Sequence, residues 1–200
     1  MSFKQTTDNY RKHTHSNPIQ RQLIGNFYTA LLDLAKDAKP DSVLDVGCGE
    51  GFTLERFHNE KIGKKLVGID FLDTAIKIGK KERPYLDLRQ GNIYDIPFKD
   101  SSFDLVICSE VLEHVDDPKK ALKELARVTK KYCLLSVPHE PWFMVSNFLR
   151  GKNLSRLGND IEHINHWSSH AFQKFIANEL ALDIVRQPFP WTLILAKKKS

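Results

Sequence analysis

No stretch of this 200-residue sequence approaches the ~18 consecutive apolar residues that would cross a bilayer. The opening segment, MSFKQTTDNYRKHTHSNP, lacks the apolar core of a secretory signal. Cysteine is scarce: Cys48, Cys108 and Cys133 stand far apart with no C-x-x-C pair, which argues against a disulfide framework. Together these absences suit a cytoplasmic chain with reduced thiols. Internal repeats and low-complexity tracts are also missing, as is the phosphate-cradling pattern G-x-x-x-x-G-K-[ST].

What is present is an ordinary globular composition, 41% hydrophobic and 28% charged. The length suits one domain with a sizeable core. Net charge is +5, and the basic residues are spread over Lys61, Lys64 and Lys65, then Lys77, Lys80, Lys81 and Arg83, then Lys119 to Lys131, with a Lys197–Lys199 tail. That spread reads as the solvated outer faces of helices. With no aromatic-plus-basic RNA motif beside it, nucleic acid is not the expected partner.

Periodicity gives an order of elements. Ile19, Leu23, Phe27, Leu31 and Leu34 recur at helical spacing, with Asn17-Pro18 as cap and first turn, so 18–37 is a helix. Short apolar runs at 42–46, 66–70, 87–90, 103–108 and 132–137 read as strands, separated by helices at 52–59, 73–81 and 118–129. This alternation indicates a parallel sheet with helices on both faces. A long connection, 138–167, leads to a helix over 168–180 and two strands, 183–187 and 192–197, which suit an antiparallel edge pair.

The first strand runs into Asp45-Val46-Gly47-Cys48-Gly49-Glu50-Gly51. Glycines here allow a tight turn and a ligand's close approach beside a helix start. The spacing G-x-G-x-G departs from the G-x-G-x-x-G of pyrophosphate binding. Asp70 ends the second strand, where an acid can accept from two ribose hydroxyls. Gly91-Asn92-Ile93 follows the third, and Ile96-Pro97-Phe98 precedes the fourth.

Over about Ser42 to Val137, this set of motifs resembles the class I S-adenosylmethionine-dependent methyltransferases, particularly the branch around ubiquinone and menaquinone biosynthesis. The resemblance implies a single α/β domain over 1–200, with a Rossmann-like, doubly wound, mostly parallel seven-stranded sheet and a C-terminal antiparallel strand pair. Residues 1–40 would form a helical cap and 138–167 a substrate lid. It further implies S-adenosylmethionine as cofactor, with Asp45, Gly47, Cys48, Gly49 and Gly51 around its methionyl part. Asp70 would hold the ribose, Phe71 would lie beside the adenine, Asn92 and Ile93 would meet the adenine edge, and Ser109 would close over the cofactor. Asn92 stands where the family commonly has Asp; its amide oxygen still accepts from an adenine amino group.

Residues 109–115, S-E-V-L-E-H-V, follow the fourth strand. If helical, they put Glu110, Glu113 and His114 on one face. Three readings stay open: a structural polar rim, a general base at His114, or a metal set completed by His163 or His166 of the later Ile161–Trp167 segment. The metal reading resembles small-RNA 3′-end 2′-O-methyltransferases. In the long connection, His139, Glu140, Trp142, Phe143, Phe148, Arg150, Lys152, Arg156, Trp167 and His170 could embrace a planar or acidic molecule, or pack as a satellite cluster. Tyr10, His13 and His15 could fold over the cofactor.

The expected activity is methyl transfer to a small molecule, at oxygen, with His114 and His166 as the catalytic pair. The alternatives are a metal-assisted enzyme acting on an RNA end and a non-catalytic cofactor-binding module.

Overall fold

The computed structural model describes residues 9–11, 17–144 and 163–199. The elements are α1 (Pro18–Ala38), β1 (Ser42–Val46), α2 (Phe52–Asn59), β2 (Lys65–Asp70), α3 (Asp73–Glu82), β3 (Asp87–Gln90), β4 (Phe103–Ser109), α4 (Pro118–Val128), β5 (Thr129–Pro138), α5 (Ser169–Ile176), β6 (Leu180–Arg186) and β7 (Trp191–Lys198). Most boundaries lie within a residue or two of those expected. Asn17 caps α1 by accepting from the Ile19 and Gln20 amides at 2.9 and 3.3 Å. Asp117 caps α4 by accepting from the Lys120 amide at 3.0 Å.

The helix expected over 168–180 stops at Ile176. The Asn178 side chain donates to the carbonyls of Phe175 (2.9 Å) and Lys174 (3.4 Å), closing off the last turn. Leu180 then opens β6.

The seven strands form one sheet in the order β3-β2-β1-β4-β5-β7-β6. β1 to β5 pair in parallel, whereas β7 is antiparallel to both β5 and β6. The late pair is thus not wholly at the edge, because β7 inserts between β5 and β6. Its buried run Trp191–Ala196 explains the placement, since a strand paired on both sides and covered on both faces must be apolar throughout. One face of the sheet is covered by α1, α2 and α3 through Leu31, Leu34, Leu54, Phe57 and Ile76. The other is covered by α4 and α5 through Leu122, Leu125, Phe172 and Ile176.

Strand order reverses at β1. The chain goes from β1 outward through β2 and β3, then returns to place β4 on β1's other side. A crevice opens beyond the carboxyl ends of strands at such a reversal, and ligands of open α/β sheets bind there.

The loop from β3 to β4 is tied down by Arg127 of α4. Its guanidinium donates to the carbonyls of Ile96 (2.9 Å) and Phe98 (2.8 Å) and pairs with Glu124 and Asp100. Glu124 in turn accepts from the Ile96 amide at 3.0 Å. Arg127→Ala is expected to lower the unfolding free energy by about 2 kcal/mol, read from urea denaturation, because two carbonyls and a half-buried carboxylate lose their donors together.

Candidate functional site

The site is built where β1, β2 and β4 end side by side. β1 and β2 pair in parallel with Val46 opposite Ile69, so Asp45 and Asp70 emerge at the same end of adjacent strands. The chain then turns sharply: the Gly47 and Cys48 amides both donate to the Ile69 carbonyl, at 2.8 and 3.1 Å. Gly47 has φ +81°, and a Cβ there would run into the Val111 side chain, so the turn needs glycine twice over. The Gly49 amide donates to Asp70 at 2.8 Å, and the Leu72 amide donates to the other Asp70 oxygen, also at 2.8 Å. Asp70 therefore fixes the glycine loop to the end of β2, and its carboxylate keeps further acceptor sites.

Asp45 is only 2% exposed, and among the described residues its Oδ2 has no hydrogen-bond partner. Burial, reinforced by the charge of Asp70, pushes its pKa up to about 7. Burial also raises Asp70, against the pull of its two backbone donors. A buried acceptor without a donor is uncommon in a folded chain and marks a place where a ligand's donor fits.

The other expected residues fall into distinct surroundings. Cys48 is buried, and a Cβ on Gly68 would meet its Sγ at 2.7 Å, so this side chain packs against β2. Burial holds its thiol well above the ordinary range, which makes it a packing group and not a nucleophile. Gly51 faces Leu86 and Leu88 and starts α2. Phe71 is 71% exposed just after Asp70. Asn92 already accepts from the Tyr94 amide at 2.9 Å, a turn-forming bond, and Ile93 packs against the core.

A narrow cleft lies beside Asp45, with about 40 Å³ of enclosed space behind its open mouth. Asp45, Ser109 and Glu110 line it together with Phe27 and Tyr28 of α1 and Trp191 of β7. The aromatic three were not foreseen as site residues, because a buried aromatic in an amphipathic pattern reads as core. Asn9 also reaches the cleft and donates to the buried Glu50 at 2.6 Å. Tyr10 meets Phe52 with ring centres 5.9 Å apart.

The segment S-E-V-L-E-H-V is not a helix. Only Leu112–His114 form a single tight 3-10 turn, and Glu110 takes a left-handed backbone conformation at φ +58°. The two glutamates consequently part company. Glu110 turns into the cleft, where it accepts from Trp191 Nε1 at 2.5 Å and from the Ser136 hydroxyl at 3.3 Å. Ser136 in turn shares a 2.9 Å hydrogen bond with Ser109.

Glu113 is buried and gathers with His114 and His163, each offering a ligating atom within 4.8 Å of the others. The Glu113 carbonyl accepts from the Ile164 and Asn165 amides at 2.8 and 3.0 Å. The Asn165 side chain donates to the carbonyls of Leu112 (3.1 Å) and Val115 (2.7 Å). The segment carrying His163 is thereby held against the turn carrying His114. His166 stands apart from this trio, with Nδ1 3.8 Å from Glu140. Both ends of the long connection meet here, through a bridge between His139 and Trp167 and the Glu140 amide's 3.0 Å bond to the Trp167 carbonyl. His13, His15, Phe148, Arg150, Lys152, Arg156, Ile161 and Glu162 lie outside the described residues.

Residues 44–137 match a family model described as a methyltransferase domain. Over 88 residues the chain is 43% identical to a demethylmenaquinone methyltransferase of Renibacterium salmoninarum, a match covering 44% of this chain and 36% of that protein. The chain thus matches little more than a third of that relative's length. Among solved structures, a SAM dependent methyltransferase from Aquifex aeolicus is 16% identical with TM-score 0.70, over 97% of this chain and all of that one. Magnesium protoporphyrin IX methyltransferase from Synechocystis, solved with bound SAH, is 14% identical with TM-score 0.69, over 92% of this chain and 89% of that one. At those identities the structures speak for the fold alone.

Proposed function

We propose, from the match of residues 44–137 to a methyltransferase-domain model, that the chain transfers a methyl group from S-adenosylmethionine to an oxygen of a small molecule. The observation that carries the reading is Asp45: a buried carboxylate with an oxygen lacking a donor, next to a glycine turn, where the strand order reverses. An ammonium group is the donor that such an oxygen suits, and S-adenosylmethionine bears one on its methionyl end. The demethylmenaquinone methyltransferase relative supports a small-molecule acceptor.

When bound, the cofactor supplies an electrophilic methyl on a positively charged sulfur. The rest of the work belongs to the chain. Asp45 and the backbone of Gly47 to Gly49 hold the methionyl part. Asp70 uses its remaining acceptor sites for the ribose, Phe71 covers the adenine, and Asn92 and Ile93 meet its edge. The aromatic walls formed by Phe27, Tyr28 and Trp191 keep water from the reacting centre. His114 and His166, each beside a buried glutamate at 3.9 and 3.8 Å, take the proton that an acceptor hydroxyl loses.

A second reading is favoured by one observation, the convergence of Glu113, His114 and His163. A carboxylate and two imidazoles at this spacing suit a divalent cation that would orient and polarise the acceptor. One experiment addresses both readings: transfer of labelled methyl from S-adenosylmethionine into a metabolite extract, with and without a chelator. Labelled small-molecule product that survives chelation supports the first. Product lost on chelation and restored by Mg²⁺ or Mn²⁺ supports the second. Failure of the chain to bind S-adenosylmethionine by calorimetry ends both.

A further inference from the structure

Asp45 answers only one of the charges that an amino-acid ligand carries. It presents to the cleft a buried oxygen that lacks a donor among the described residues. Two hydroxyls line the same cleft, those of Tyr28 on α1 and Thr53 on α2. Three other donors of the cleft are committed elsewhere. Asn9 donates to Glu50 at 2.6 Å, Trp191 donates to Glu110 at 2.5 Å, and Ser109 shares a 2.9 Å bond with Ser136.

Thr53 stands differently. Among the described residues its hydroxyl meets only the Tyr28 hydroxyl, and at 3.4 Å that bond is a long one. Burial pushes the Tyr28 pKa up to about 12, so that hydroxyl keeps its proton. Thr53 can accept from it and still donate its own hydrogen to a ligand. Thr53 also lies in the first turn of α2, whose cap residue, Gly51, has no side chain to accept from that turn's amides. One turn on, the Arg56 guanidinium lies over the Tyr28 ring, its carbon 4.0 Å from the ring centre. The buried Arg56 Nε finds no acceptor among the described residues. A hydroxyl donor, uncapped amides and a guanidinium are thus gathered within one turn of α2, and such a set suits an anion.

We propose that Thr53 is a specificity-determining residue whose hydroxyl receives the carboxylate of the cofactor's amino-acid end, beside the Asp45 that takes its ammonium. The inference rests on the cofactor reading above and deepens it. An amino acid carries both charges on one carbon. A ligand that sets its ammonium on Asp45 must therefore set its carboxylate a few ångströms away, against a wall of the same narrow cleft. Asp45 and Thr53 line that cleft together. The functional consequence is that the cleft reads both charges of the zwitterion, and disfavours a tail that keeps its amine but has lost its carboxylate.

The test is calorimetric titration of the full chain with S-adenosylhomocysteine and with its decarboxylated counterpart, which keeps the adenosine, the thioether and the ammonium. A hydrogen bond to a charged group is worth about a factor of ten. Wild type is therefore expected to bind S-adenosylhomocysteine about tenfold more tightly than the decarboxylated ligand. In Thr53→Val, which keeps the shape and loses the hydroxyl, S-adenosylhomocysteine affinity falls about tenfold while that of the decarboxylated ligand changes little. Thr53→Ser keeps the hydroxyl and the wild-type ratio; a loss there equal to that of Thr53→Val would trace the effect to the methyl group and overturn the inference. A hydroxyl that merely packs the start of α2 would move both affinities together or neither, and an unchanged ratio in Thr53→Val overturns the inference alone. Should valine upset the fold, Thr53→Ala makes the same comparison with a residue that suits a helix. Equal affinities of the two ligands for wild type overturn the inference with no substitution at all. Binding of neither ligand to wild type overturns the cofactor reading, and this inference with it.

Discussion

In Asp45→Asn, affinity for S-adenosylmethionine falls on the order of a hundredfold, the scale of a lost hydrogen bond to a charged group, while the ligand-free protein becomes more stable above pH 7. The two effects have one cause. Asp45 is buried, and its pKa is pushed from 3.8 up to about 7 by burial and by the charge of Asp70. Between those two values the folded chain holds a proton that the unfolded chain has released. Stability therefore declines as pH rises through that window and levels off above it. Ionised Asp45 costs the empty fold about 4 kcal/mol, at about 1.4 kcal/mol for each unit of displacement. In the proposed complex an ammonium donor would offset that cost.

Asparagine does not titrate, so urea unfolding of the variant should show no such decline. Cofactor affinity of the wild type should climb as pH rises toward and past 7 and Asp45 ionises, while that of the variant stays flat. If the wild type and Asp45→Asn gave parallel stability profiles from pH 4 to pH 8, Asp45 would not be the buried, unpartnered acid described above.

Asp70→Ala behaves differently, because Asp70 has partners. Its two oxygens accept from the Gly49 and Leu72 amides, so its loss loosens the glycine turn as well as the ribose site. Stability is expected to fall by about 2 kcal/mol and cofactor affinity on the order of a hundredfold, since two backbone donors and two ligand hydroxyls lose a charged acceptor. Asp70→Asn, which keeps one acceptor oxygen, should fall between. Urea denaturation and calorimetry together distinguish the two acids. Loss of Asp45 weakens binding while stabilising the empty fold; loss of Asp70 weakens both. If Asp70→Ala left stability unchanged, the tie between β2 and the glycine turn would be refuted.

Much of this was legible in the sequence, for physical reasons. Strands buried on both faces are near-continuously apolar, and Phe103–Cys108 stands out for that. Caps announce themselves, as Asn17 and Asp117 do, because an asparagine or aspartate before a proline has few other uses. Glycines flanked by strand and helix, followed twenty-odd residues later by a strand-end acid, mark the neighbouring ends of β1 and β2, which pair in parallel.

Three features were not legible. Glu110 and Glu113 share a helical face only if the backbone is helical, and nothing in S-E-V-L-E-H-V announces a left-handed residue at Glu110. Trp191 joins the cleft from 81 residues beyond Glu110, through a strand that inserts beside β5, and no local pattern encodes that pairing. Asn92 also shapes its own loop, its amide oxygen accepting from the Tyr94 backbone two residues on, a bond that the local pattern does not announce. Local periodicity reports what a segment buries. It does not report which distant segment covers it.

The central claim is that two neighbouring strand ends enclose an adenosyl amino acid between them. A crystal structure of the chain with S-adenosylhomocysteine tests this most directly. The ligand's ammonium is expected within hydrogen-bonding distance of Asp45, with its ribose hydroxyls on Asp70 and its sulfur facing the Glu110 side of the cleft. A ligand seated elsewhere, leaving Asp45 buried and still without a donor, would contradict the account.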